Sequence, residues 1–105
     1  MYPDGRERRM SFIQIIDYET DQADAIDEQM RQAMSDGMEM TFTRLEHTQD
    51  RDNPRHYMTI VEFPTYEAAM ANSQRPETDE MARQLASMCT SGPRFTNLDV
   101  KMDMP

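Results

Sequence analysis

Two histidines, His47 and His56, stand on either side of the polar run "TQDRDNP", with Asp50 and Asp52 between them. Imidazoles and carboxylates are a ligand set for a transition metal. The spacing is not the i, i+4 or CxxC pairing of tight metal sites, however, and Asn, Asp and Pro in such a run build hairpin turns. Cys89 shares a helical stripe with Met81, Leu85 and Met88, the setting of a buried structural thiol rather than a nucleophile. No Ser-His-Asp or Cys-His spacing points to hydrolysis. The remaining chemistry is that of binding and polarising a small molecule. The amides of Gln14 and Asn72, the hydroxyls of Tyr57 and Thr59 and the guanidinium groups of Arg44 and Arg75 suit a carbonyl, a phenolate or an anion.

Asn72 and Arg75 lie in "ANSQRPETDE", residues 71–80, a polar, proline-bearing stretch that interrupts an otherwise helical segment. One reading puts Asn72, Ser73, Arg75 and Glu77 in a short loop at the lip of a pocket. The other makes Asn72 a helix end, Pro76 a helix start and Arg75 with Glu77 a solvated ion pair. If Asn72 ends its helix in the left-handed conformation, Asn72→Gly should be tolerated.

The elements that must position these groups follow from hydrophobic periodicity. Residues 1–9, "MYPDGRERR", have no periodicity and read as a flexible arm, leaving residues 10–105 as one domain. "SFIQIIDYE" from Ser11 is a first strand, rich in β-branched and aromatic residues. Ala23, Ile26, Met30, Ala33 and Met34 recur at helical spacing, with Thr20 or Asp21 as cap and Gly37 as terminator. "MEMTFTRLEH" from Met38 and "RHYMTIVEF" from Arg55 form a hairpin. "TYEAAMANS", capped by Thr65, and "PETDEMARQLASMC", opened by Pro76, form a helix broken in two. "RFTNLDVKM" from Arg94 is the last strand. The order β-α-β-β-α-β predicts an α+β, ferredoxin-like fold with an antiparallel sheet.

Strand parity carries the reading toward function. Ile13 and Ile15 oppose Phe12, Ile16 and Tyr18, while Met58 and Ile60 oppose Tyr57, Val61 and Phe63. Both faces of the central strands are therefore apolar, yet helices from so short a chain cover one face only. A second copy of the sheet is the economical cover, which predicts a homodimer enclosing a small-molecule cavity. Gln14, Arg44, Thr59 and Asn97 are expected on the face turned to that second sheet. Several of the 12 methionines fill core gaps, and Met38, Met40 and Met58 offer an adaptable wall for a flat aromatic ligand. The net charge of −9 argues against nucleic acid and anionic membranes as partners. No apolar run is long enough for a membrane span, residues 1–9 lack a signal peptide's apolar stretch, and the lone cysteine agrees with a cytoplasmic location.

From Ser11 to Val100, notably in "MSFIQIIDYE", "HYMTIVEFPTYEAAMANSQRPE" and "GPRFTNLDV", the chain resembles the dimeric α/β-barrel superfamily that includes antibiotic biosynthesis monooxygenase (ABM) domains. The resemblance implies two ferredoxin-like sheets facing each other in a dimeric barrel. It also implies a pocket bordered by the broken helix, and a cofactor-independent monooxygenase or cyclase acting on an aromatic or polyketide-like molecule. A non-catalytic binding or accessory protein is the alternative. No flavin, haem or metal motif accompanies either reading, and no residue declares itself as the catalytic base.

Overall fold

The computed structural model describes residues 11–35 and 41–104. In chain order its elements are β1 (Phe12–Glu19), α1 (Ala23–Ser35), β2 (Arg44–Gln49), β3 (His56–Phe63), α2 (Tyr66–Ser73), α3 (Pro76–Ser87) and β4 (Ser91–Asp99). The strands form one antiparallel sheet in the order β2-β3-β1-β4. This is the expected ferredoxin-like α+β arrangement with its second helix divided. The arm of residues 1–9, Gly37, Met38 and Met40 lie outside the described residues. No described helix is long and apolar enough to cross a membrane.

Local chemistry sets most boundaries. The Thr65 hydroxyl accepts from the Ala68 amide at 3.0 Å and caps α2. Thr20 bonds the Gln22 amide at 2.8 Å ahead of α1 and donates to the Met88 carbonyl at 2.6 Å, tying the start of α1 to the end of α3. Pro76 lacks an N–H and disfavours helical backbone at the residue before it, so Arg75 is extended (φ −78°, ψ 138°) and the helix restarts at Pro76. The helix breaks between Ser73 and Pro76, as the two segments predict. Asn72 and Ser73 remain inside α2, Glu77 is inside α3, and Gln74 and Arg75 make the join. No described non-glycine residue has positive φ, so Asn72 is not a left-handed helix end.

Two strand boundaries also move. β2 begins at Arg44, because Thr41 to Thr43 carry no strand pairing beyond one bond from the Thr43 amide to the Glu62 carbonyl. β4 begins at Ser91 rather than Arg94 and ends at Asp99. A bulge at Gly92 and Pro93 lets the ladder to β1 continue past Asp17 as far as Glu19.

The three helices lie on the face that carries Phe12, Gln14, Ile16 and Tyr18 of β1 and Tyr57, Thr59, Val61 and Phe63 of β3. There Phe12, Val61, Phe63 and Ala69 form a buried core, with Ile16, Phe42, Leu45, Ala68 and Met70 packed around it. Tyr66 meets Phe12 edge-on at 5.3 Å. Ile26, 2% exposed, anchors α1. Gln14, Thr59 and Asn97 are thus on the helix-covered face and not on the face free for a second sheet. Arg44, paired with Glu62, is on that free face and away from the other three. Parity shows which residues share a face, but with both faces apolar it does not show which one the helices take. The free face presents Ile13, Ile15, Met58 and Ile60, half-buried, and Leu98, exposed.

Candidate ligand cavity

Between the sheet and the helices lies a cavity of about 190 Å³. Ile16, Val61 and Phe63 rise from the sheet, Ile26 and Met30 come from α1, and Met81 and Leu85 come from α3. The wall is therefore mostly hydrocarbon and thioether, a surface that selects flat apolar molecules by shape. Gln29 of α1 donates to Gln84 of α3 and links the two helices beside it.

The polar groups in this wall are few, and most are held by residues just outside it. Gln14 donates to Asn97 across the β1–β4 ladder at 3.1 Å. Thr41 donates to the Asn72 side-chain oxygen at 3.2 Å. The Thr78 hydroxyl is buried and finds no hydrogen-bond partner among the described residues. Tyr18 is 3% exposed and its neighbour Thr59 is 5% exposed. The Thr59 hydroxyl is 3.0 Å from Nδ1 of His47. Burial pushes the Tyr18 phenol above its ordinary 10.0, against the opposing effect of the Thr59 hydroxyl. The rings of Tyr18, His47 and Tyr57 stack, His47 on Tyr57 at 5.6 Å and 9° and Tyr18 on Tyr57 at 6.1 Å and 15°.

No family model and no curated protein matches the sequence. Solved structures do match in shape. A conserved protein from Methanosarcina mazei Go1 superposes with a TM-score of 0.76 at 7% identity, covering 89% of this chain and 95% of that one. A single-residue variant of SnoaB, a cofactor-independent oxygenase from Streptomyces nogalater, gives 0.74 at 16% identity, covering 91% and 98%. A candidate antibiotic biosynthesis monooxygenase from Nitrosomonas europaea gives 0.70 at 16% identity, covering 94% of each. The chain shares the fold of these structures. At such identities the likeness is one of architecture, and chemistry has to be argued from the cavity.

Of the six expected ligand-binding residues, Gln14, Thr59 and Asn72 line the cavity. Tyr57 stands behind the wall, its hydroxyl accepting from Gln49 at 3.1 Å. Arg75 is outside it with Glu77 at 3.9 Å, and Arg44, on the opposite face, binds Glu46 at 2.7 Å. Cys89 donates to the Leu85 carbonyl, and burial raises its thiol above 9.0, the opposite of an activated nucleophile. The two histidines lie on opposite faces of the sheet, so they do not converge on one ion. His47 and Thr78 were not among the expected ligand contacts. Tyr18 shares parity with Gln14, but His47 joins Thr59 only once the β2–β3 register is known.

Proposed function

We propose that this ABM-like domain binds a small, flat, largely apolar molecule bearing a phenolic or enolic oxygen and acts on it as a cofactor-independent monooxygenase or cyclase. The observation that carries the reading is the composition of the cavity wall: apolar on nearly every side, with one buried, unpartnered hydroxyl at Thr78 left for a ligand to satisfy. Size supports a compact ligand. An apolar cavity of roughly 150 Å³ holds benzene, so about 190 Å³ suits one or two fused rings. The anion formed from a phenol or enol is electron-rich, and it reacts directly with molecular oxygen or closes a ring. The same domain assembles, in this reading, as a homodimer through the free sheet face. The likeness to SnoaB supports the oxygenase branch at the level of fold.

Mass spectrometry of small molecules that co-purify with the protein, followed by oxygen-consumption assays on those compounds and on one- and two-ring phenols, tests the reading. Compounds of that class should be retained and should consume oxygen in proportion to enzyme. Retention without oxygen uptake or cyclisation would make the protein a carrier or accessory binder, and retention of large polar compounds would overturn the assignment.

A further inference from the structure

The polar groups that line the cavity differ in what they have left to offer a ligand. Gln14 donates to Asn97, Gln29 donates to Gln84, and the Thr59 hydroxyl is engaged with His47. Asn72 accepts from Thr41 on its side-chain oxygen, so what remains is its NH2 group, which has no partner among the described residues. A helical threonine commonly returns its hydroxyl hydrogen to the carbonyl four residues back. Thr78 makes no such bond to Gln74, and its buried hydroxyl keeps its hydrogen unspent.

These two residues flank the join at Gln74 and Arg75, Asn72 in the last turn of α2 and Thr78 in the first turn of α3. The break in the second helical segment therefore brings the unspent donors of two helices to one end of the cavity. Tyr18, the phenol in the wall, belongs to the other end. Thr20, two residues beyond it, holds the Met88 carbonyl where α3 finishes, about 15 Å of helix away from Thr78.

Resting on the reading that the cavity holds a small oxygen-bearing ring, we propose that Thr78 and Asn72 form a two-donor site for the carbonyl oxygen of an aromatic ketone. An amide NH2 group only donates, and the Thr78 hydroxyl has a hydrogen to donate beside it, so one oxygen that accepts twice satisfies both. A carbonyl oxygen has two lone pairs and brings no hydrogen of its own. A bare phenolate accepts as well, but the hydrocarbon and thioether wall penalises a full charge, and a neutral ketone escapes that penalty. The enolic oxygen of the functional reading is thus presented as its keto form. As an enolate develops from that ketone, charge gathers on the same oxygen, and the two hydrogen bonds strengthen with it. The rest of the wall selects by shape, and these two residues fix which end of the molecule faces the helix join.

Indanone and indane share a two-ring outline and differ by one carbonyl group. Calorimetric titration of the full-length protein with each, together with the infrared band of bound indanone carrying carbon-13 at its carbonyl, tests the site. In the wild type the band should lie well below its position in an apolar solvent, the mark of a hydrogen-bonded carbonyl. Thr78→Val keeps the side chain's shape without its hydroxyl; it should weaken indanone about tenfold, the worth of one hydrogen bond to a buried group, and move the band up. Thr78→Ser should restore both, and Asn72→Leu should move the band up part-way. Indane affinity should not fall in any of these variants, which shows that the cavity is intact. A wild-type band at its apolar-solvent position, a band that Thr78→Val leaves unmoved, or an equal loss of indanone and indane overturns the carbonyl site and leaves the cavity reading standing. Failure of the wild-type protein to bind either compound overturns both.

Discussion

His56 holds a carboxylate oxygen 3.0 Å from each ring nitrogen, Asp50 at Nδ1 and Asp17 at Nε2, and the Arg94 guanidinium lies 3.7 Å from the other Asp17 oxygen. The hydrogen bonds to Asp50 and then to Asp17 raise the imidazole above its ordinary 6.5, and the bond from His56 is the main cause that holds Asp50 below its ordinary 3.8. The raised histidine contributes stability that is fully present below pH 6.5 and is lost as pH climbs through its folded value. The lowered carboxyl contributes stability present above pH 3.8 and lost as pH falls through its folded value. The cluster should therefore stabilise most between those limits. Thermal melting of the wild type and of His56→Gln across pH checks this: the gap in Tm should be widest in that window and close at alkaline pH. A gap of constant width would mean that His56 contributes packing and no charge.

At the scale of the element, the β4 bulge depends on Gly92. Its φ of +88° is rarely adopted by L residues, and a Cβ there would sit 2.9 Å from the Asp17 carbonyl oxygen and 3.3 Å from the Tyr18 Cα. Neither obstacle is the movable end of a side chain. Gly92→Ala should cost about 1–3 kcal/mol, read as a lower denaturant midpoint with an unchanged slope. Because β1 carries Tyr18 into the cavity, the same variant should also weaken retention of a cavity ligand. An unchanged midpoint would show that the bulge relaxes without strain.

For the whole molecule the surface area is informative. The chain exposes 7250 Å², whereas a monomeric protein of 12.3 kDa exposes about 6,100 Å² by the usual scaling. On the free sheet face Ile13, Ile15, Met58, Ile60 and Leu98 carry no covering helix among the described residues. Light scattering should give twice 12.3 kDa, with an interface on the order of 1,200 Å² or more in total. Ile60→Glu, in the middle of that face, should give folded monomers with an unchanged circular dichroism spectrum. A wild-type mass of one chain at micromolar concentration would remove the dimer from the proposal.

The sequence by itself determined the order of elements, the ferredoxin-like topology and the two-sided apolar strands, because those rest on local periodicity, capping and proline chemistry. Thr65 capped α2 and Pro76 opened α3 as their types dictate. Sequence also marked Gln14 and Thr59, polar residues set among apolar neighbours, and Asn72, at the polar break in the second helical segment. Three things only the tertiary structure decided. The side of the sheet taken by the helices was ambiguous from parity, since either face could be buried, and this moved Gln14, Thr59 and Asn97 onto the helix side. The register of β2 separated Arg44 from them and brought His47 to Thr59, a contact between residues whose proximity depends on a hairpin alignment that no single residue encodes. The orphan hydroxyl of Thr78 exists only because α3 packs over the cavity, for satisfaction of a polar group is a property of its surroundings and not of its type.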